Sequence, residues 1–287
     1  MRIAFIGFGE AARSFQASLS QRDPALGFAA YDIDQSHAMR EAMASAGMEP
    51  AGNSRDAIAG ADLVFSAVTA DQASVAALEA AESLGAGQMF IDINSVSPQR
   101  KRDNAAAVEA TGAAYIDMAV MAPVHPRGHA TPVLVAGPTV VEFSIVLRKL
   151  GFSFEVVREA VGSATAIKMV RSLFVKGLEA ITVECLLAAA ASGCFDDILA
   201  SLSKSYPGLE WPRIAEYHFE RSTKHGKRRA AEMMESGATL DELGLSGGLA
   251  REIAGVQDRM GGLSADGDSL AVLVRKLLSQ RLERQES

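Results

Sequence analysis

The stretch Arg2-Ile3-Ala4-Phe5-Ile6-Gly7-Phe8-Gly9-Glu10-Ala11-Ala12 decides the fold. An apolar run suited to a buried strand leads without a break into Gly-x-Gly-x-x-Ala, and Ala11 to Ser20 reads as a helix. A second strand pattern, Gly27-Phe28-Ala29-Ala30-Tyr31, ends at Asp32, 23 residues beyond Gly9. A glycine pattern alone says little. With a strand before it, a helix after it and an acid closing the next strand, it predicts a dinucleotide-binding turn. Gly7 then permits the tight turn, Gly9 lets the backbone approach a pyrophosphate, and Ala12 is small enough for the helix to pack on the strand. Phe8, Glu10 and Ala11 complete the turn, whose N–H groups at the helix start face the phosphates. An Asp32 carboxylate accepts hydrogen bonds from a ribose 2′-hydroxyl and repels a 2′-phosphate. No arginine follows in Ile33-Asp34-Gln35-Ser36, so NAD is expected in preference to NADP, with Asp34 capping the next helix.

Outward from this turn, strand and helix patterns alternate. Strands are expected at 3–6, 28–31, 63–68, 89–93, 114–116 and 132–136, with helices at 36–46, 54–59, 72–84 and 98–110. Continuous apolar strands separated by helices predict a doubly wound, mostly parallel sheet covered on both faces, the α/β Rossmann arrangement, with ligands at the carboxyl ends of its strands. After Gly151 the pattern becomes helical. A long run from Ala164 to Ser192 carries no proline, Pro207 and Pro212 interrupt the chain around Trp211, and short helical segments follow at 230–235, 240–243, 249–260 and 269–284. The expected organisation is a dinucleotide-binding domain over 1–160 and an all-helical substrate and dimerisation domain over 161–287, joined by a long interdomain helix.

Composition narrows the function. Of 287 residues, 48% are hydrophobic, ample for buried cores, and the net charge of −7 gives no reason to expect a nucleic-acid partner. The basic run Lys224-His225-Gly226-Lys227-Arg228-Arg229 is short and lacks interleaved aromatics. Cys185 and Cys194 fit neither a disulfide framework nor a metal site and read as small hydrophobes in a reducing compartment. No leader pattern precedes the first strand, and the alanine-rich run at 186–191 is too short to span a membrane, so a cytoplasmic protein is expected.

Four places could carry chemistry. Val68 and Thr69 end the third apolar strand, where the loop passes near a nicotinamide ribose, with Asp71 expected to cap the helix beyond. Asn94 and Ser95 end the fourth, where a short amide and a hydroxyl can hold a carboxylate; Ser97 is expected to cap the helix opened by Pro98. His125, Arg127 and His129 share a loop bracketed by Pro123, Pro126 and Gly128. Ser163 reads as the cap of the long helix, Lys168 lies in its second turn among apolar residues, and Ser172 is one turn on. Desolvation there lowers a lysine pKa toward proton transfer, although a helical lysine is more commonly a solvated residue.

Together these segments resemble the β-hydroxyacid dehydrogenases, relatives of 3-hydroxyisobutyrate and 6-phosphogluconate dehydrogenase. The family's Gly-x-Gly-x-x-Gly is similar to the segment ending at Ala12, and its Asp-x-Ser-Thr to Asp92-Ile93-Asn94-Ser95. Its Asp-Ala-Pro-Val-Ser-Gly-Gly is echoed weakly from Asp117 to Pro123. Its Gly-x-Gly-x-x-x-Lys-x-x-x-Asn resembles Gly162 to Lys168, with Ala164 for glycine and Ser172 for asparagine. The resemblance implies hydride transfer between a nicotinamide and a small 3-hydroxy acid or related carbinol, with Lys168 as general acid–base and Ser95 and Asn94 on a substrate carboxylate. It further implies Ser172 as an orienting group, His125 lining the pocket, closure by the helical domain, and a homodimer. Met121 replaces the family's substrate-loop serine, a task open to His125 or Arg127. The stretch from Glu220 to Met233 resembles a branch with an uncharacterised C-terminal domain, in which the His225/Arg228/Arg229 cluster either reaches the active site or forms a solvated helix face. An oxidative decarboxylase, an imine reductase (against which Lys168 argues) and a non-catalytic NAD-sensing protein remain as alternatives.

Overall fold

A computed structural model describes residues 1–265, 267 and 269–286, the side chains of 285 and 286 aside. The chain divides into two compact units, Met1–Met169 and Val170–Ser287.

The first unit opens with β1 (Arg2–Ile6), α1 (Glu10–Arg22), β2 (Gly27–Tyr31), α2 (His37–Ser45), the two-residue β3 (Glu49–Pro50) and α3 (Ser54–Ile58). It continues with β4 (Leu63–Ser66), α4 (Ala73–Ala81), β5 (Met89–Asp92), α5 (Pro98–Glu109) and β6 (Ala114–Val120). A one-turn 3-10 helix (Gly128–Ala130), β7 (Val133–Ala136), α6 (Val140–Leu150) and β8 (Phe154–Arg158) follow. The sheet runs β3-β2-β1-β4-β5-β6-β7-β8. All neighbours are parallel except β6 and β7, because the link from Val120 to Val133 holds no crossover long enough to bring the chain back to the same end. The order reverses at β1, which lies between β2 and β4 and creates the crevice where such sheets hold ligands.

Alternate side chains of each central strand feed opposite faces. Ile3 and Phe5 of β1 join Leu63 and Phe65 of β4 in one cluster, which includes Phe15 of α1 and Phe152. Ala4, Ile6 and Val64 join Phe90 and Tyr115 in the other. Phe5 and Phe65 stack with ring centroids 5.3 Å apart, and Phe15 meets Phe65 edge-on at 6.3 Å. Burial on both faces explains why these strands read as continuous apolar runs. The sequence reading missed β3 and β8, and α6: β3 is too short for any pattern, and β8 is an edge strand with three of its five residues exposed.

α7 (Ser163–Ala191) begins in the first unit and runs into the second. There it is followed by α8 (Phe195–Ser205), α9 (Trp211–Glu242), α10 (Gly248–Met260) and α11 (Leu270–Glu286). The expectation of broken short helices after Trp211 is corrected: 211–242 is one helix. Pro212 occupies its first turn, where a missing N–H costs nothing, and so starts the helix that it was expected to interrupt. α9 and α10 form an antiparallel hairpin in which small residues meet. A Cβ on Gly226 would lie 2.7 Å from Gly261 Cα, and one on Gly237 would lie 3.3 Å from the Gly247 carbonyl oxygen.

The basic run lies within α9 and divides by face. Lys224 and Lys227 are exposed and pair with Glu220 and Asp258, each at 2.7 Å. Arg229 points inward and is buried against Glu179, which also accepts from the Gln257 amide at 3.3 Å. Lys176 of α7 pairs with Glu232 at 2.9 Å. His218 is buried against the Thr182 hydroxyl at 3.0 Å, and desolvation, reinforced by the Arg229 charge, lowers its pKa to about 4. Among the described residues no helix is long and apolar enough to cross a membrane.

Candidate active site

The crevice is built from the ends of β1, β2, β4 and β5. Gly7 has φ +88°, and a Cβ there would lie 2.5 Å from the Ala67 carbonyl oxygen and 2.9 Å from Val68 Cγ1. Glycine is therefore required twice over, by conformation and by the approach of the β4 loop. Gly9 has the opposite surroundings: nothing lies within 4 Å of a Cβ built on it. It precedes α1, whose N-terminus receives no side-chain cap from Gly9, and Gly9 and Glu10 are exposed. Open space over an uncapped helix start fits a phosphate group. The Asp32 carboxylate fixes the turn, accepting from the Phe8 N–H at 2.7 Å with one oxygen and from the Asp34 N–H at 2.9 Å with the other. Each oxygen keeps a lone pair that can meet a ribose hydroxyl. Phe8 is buried under the Arg13 guanidinium, 4.9 Å from its ring centroid, and Arg13 Nε donates to the Phe8 carbonyl.

Two expected caps are reassigned. Ser36, and not Asp34, caps α2 by accepting from the Met39 N–H, while Asp34 accepts from Ser36 N–H one step earlier. Asp71 does not cap α4. Hydrogen bonds from Gln72 and then Thr69 hold its carboxyl below the ordinary range in an exposed loop.

Asn94 serves the framework. It is buried at the β4–β5 edge, its Oδ1 accepting from the Val68 N–H at 2.8 Å and its Nδ2 donating to the Ser66 hydroxyl at 2.9 Å. This clasp ties the Val68–Thr69 loop to the loop that carries Ser95. Ser95 is half-buried, and its hydroxyl accepts from Lys168 Nζ at 2.6 Å. The structure thus brings together two residues 73 apart in the chain. Ser97 caps α5 by accepting from the Arg100 N–H.

Beneath this pair lies a buried polar knot that the sequence reading missed. Lys101 is wholly buried; its Nζ is 2.8 Å from Asp92 Oδ1, donates to the Asp92 carbonyl at 2.6 Å and lies 3.7 Å from Asp117 Oδ1. The Tyr115 hydroxyl donates to Asp92 Oδ2 at 2.6 Å, its pKa pushed upward by burial and then by the Asp92 charge. Asp117 Oδ2 accepts from the Gly162 and Thr165 N–H groups, both at 3.1 Å, and its Oδ1 accepts from the Thr165 hydroxyl at 2.7 Å. Ser163 was expected to cap α7; it is instead the first helical residue, and a carboxylate from β6 does the capping. The available signal was spacing: Pro98, Lys101, Ala105 and Val108 recur at helical intervals along the buried face of α5, which places a lysine in line with apolar neighbours.

The remaining candidates disperse. His125 and Arg127 are exposed on the β6–β7 loop. His129 is buried as a brace, its backbone N–H and its Nδ1 each 2.8 Å from Ser18 Oγ, with its pKa lowered by desolvation and then by Arg22. Ser172 belongs to the second unit, where its hydroxyl accepts from Lys176 at 3.0 Å.

Residues 2–146 match the family described as the NAD binding domain of 6-phosphogluconate dehydrogenase, and residues 189–260 match a domain of unknown function. A conserved hypothetical protein from Sinorhizobium meliloti is 37% identical over 98% of this chain and 96% of its own, with a TM-score of 0.77. Conserved protein MTH1747, of unknown function and structurally similar to 3-hydroxyacid dehydrogenases, is 28% identical over 91% of this chain and 96% of its own, TM-score 0.71. The fold is shared with a Mycobacterium tuberculosis 3-hydroxyisobutyrate dehydrogenase solved with L-serine, 16% identical over 97% of this chain and 98% of that one, TM-score 0.72.

Proposed function

We propose, from the premise that this chain belongs to the family of the NAD binding domain of 6-phosphogluconate dehydrogenase, that it is an NAD(P)-dependent oxidoreductase. Its substrate is a small 3-hydroxy acid or related carbinol, and Lys168 is its general acid–base. The observation that carries this reading is the 2.6 Å hydrogen bond from Lys168 Nζ to Ser95 Oγ, in the same unit as the glycine turn. A serine hydroxyl that accepts from an amine keeps its own O–H to donate to a substrate oxygen, so the pair can hold an acid and move a proton beside it.

A nicotinamide, when bound, supplies the hydride acceptor or donor. The N–H groups of Glu10, Ala11 and Ala12 at the start of α1 would hold its pyrophosphate over the turn that Gly7, Phe8 and Gly9 shape, Asp32 its adenosine ribose, and Val68 and Thr69 the nicotinamide side. Asp32, with no arginine beside it, supports NAD over NADP. In the oxidising direction neutral Lys168 takes the proton of the substrate hydroxyl; in the reducing direction its ammonium returns that proton to the forming alkoxide. Ser95 binds the substrate carboxylate on a loop that Asn94 holds in place. The helical second unit is the dimerisation domain, and two copies pair through it. Phe174 and Ile181, two turns apart on one side of α7, are 74% and 67% exposed, which supports a covered face in a homodimer.

The test follows nicotinamide absorbance across a panel of 3-hydroxy acids with NAD and NADP. Turnover that prefers NAD and falls by about a hundredfold or more in Lys168→Ala is the expected result. Turnover that survives the substitution overturns the role of Lys168.

A further inference from the structure

We propose that Asp117, held by Lys101 and gripping the first turn of α7, is the positioning residue for Lys168. The inference rests on the acid–base reading of Lys168. Lys168 lies on the second turn of a helix whose start is fixed by one buried carboxylate: both Asp117 oxygens are spent on Gly162 and Thr165. Lys101 ties that carboxylate to Asp92, whose Oδ1 accepts from the Asn94 N–H at 2.9 Å and so sets the loop carrying Ser95. One buried cation therefore stands between the two anchors, one beneath the amine and one beneath the hydroxyl.

Charge explains why this arrangement holds its geometry. Two buried carboxylates face one ammonium, and the excess negative charge is met by the N-terminus of α7, where the helix dipole is positive. Moving the helix start away from Asp117 would strip a buried anion of three donors, so the start of α7 stays at the end of β6. A side chain five residues into a rigid helix then inherits that position. Thr165 is the adjustable contact. Valine matches its shape and lacks only the hydroxyl that donates to Asp117 Oδ1 at 2.7 Å.

The experiment labels lysines with trace acetic anhydride and reads each site by peptide mass spectrometry, using exposed Lys149 of the same unit as reference. In Thr165→Val and in Asp117→Asn, Lys168 labelling relative to Lys149 should rise about fivefold, the factor one intramolecular hydrogen bond contributes. Thr165→Ser, which restores the donor, should return it to the wild-type ratio. Thr165→Val, with unchanged circular dichroism, serves should Asp117→Asn fail to fold. An unchanged ratio in folded Thr165→Val overturns the proposal, as does an equal rise at Lys149, which marks general loosening. Because labelling needs no turnover, full activity in Lys168→Ala would remove the acid–base role and leave the positioning result standing.

Discussion

Replacing Lys101 with methionine tests whether the knot beneath Ser95 and Lys168 is held by charge. Methionine keeps most of the length and apolar volume of the lysine stem, so the change is close to deletion of the ammonium. That ammonium is 0% exposed and lies 2.8 Å from Asp92 and 3.7 Å from Asp117. Removing one partner of a buried ionic group costs about 3–5 kcal/mol, because the partners left behind remain desolvated. Here the orphans are two carboxylates, which places the loss at the upper end of that range. Against a total stability of roughly 5–15 kcal/mol this is a large fraction. For a unit of this size it corresponds to a fall in Tm of about 10–15 °C. The assay is urea and thermal unfolding followed by circular dichroism and by tyrosine fluorescence, since Tyr115 donates to Asp92. The double variant Lys101→Met/Asp92→Asn removes one orphaned charge and should recover part of the loss. A single-variant loss below about 1 kcal/mol, or a double variant less stable than the single, would refute the charge argument.

Two further outcomes follow from the geometry. Gly7→Ala places a methyl group 2.5 Å from the Ala67 carbonyl oxygen at φ +88°, whereas Gly9→Ala enters open space; the first should cost about 3 kcal/mol and the second less than about 0.5, with both weakening NADH binding by fluorescence titration, and equal stability losses would contradict this account. In the helical unit the folded-state pKa of His218 is lowered from 6.5 to about 4. The unfolded chain binds the proton first, so stability falls as pH drops from about 6.5 toward 4, by at most about 3 kcal/mol. His218→Gln should flatten the slope of stability against pH over that interval, and an unchanged slope would remove His218 as its source.

What the sequence made legible, and what it hid, separates by range of interaction. The glycine turn and Asp32 are readable because a dinucleotide turn depends on backbone conformation over a few consecutive residues and on an acid at one further, fixed distance. The apolar strands are readable because burial on both faces leaves a continuous hydrophobic run. Pro212 was misread because proline in isolation signals a break, while its effect depends on its place in the helix: at the first turn it costs no hydrogen bond. Lys101 was hidden for a different reason. Its neighbours Arg100 and Arg102 make the segment look like a solvated basic face, and only the partners contributed by β5 and β6 make one of those cations a buried one.

The cap of α7 shows the same limit in the residue that matters most for the proposed chemistry. Ser163 satisfies every local rule for a cap: a small hydroxyl residue before an apolar helical run, just after a glycine. It loses the position because a carboxylate 46 residues earlier in the chain offers more. An ionised Asp117 meets two backbone N–H groups and a hydroxyl at once and carries a full charge into the positive end of the helix dipole, where a serine offers one neutral acceptor. Capping from the sheet also does what a local cap cannot. A serine at the helix start fixes the helix only relative to itself, whereas Asp117 fixes it relative to β6 and, through Lys101, relative to β5 and the loop of Ser95. A site that needs an amine and a hydroxyl within 2.6 Å, from segments 73 residues apart, requires that second kind of constraint.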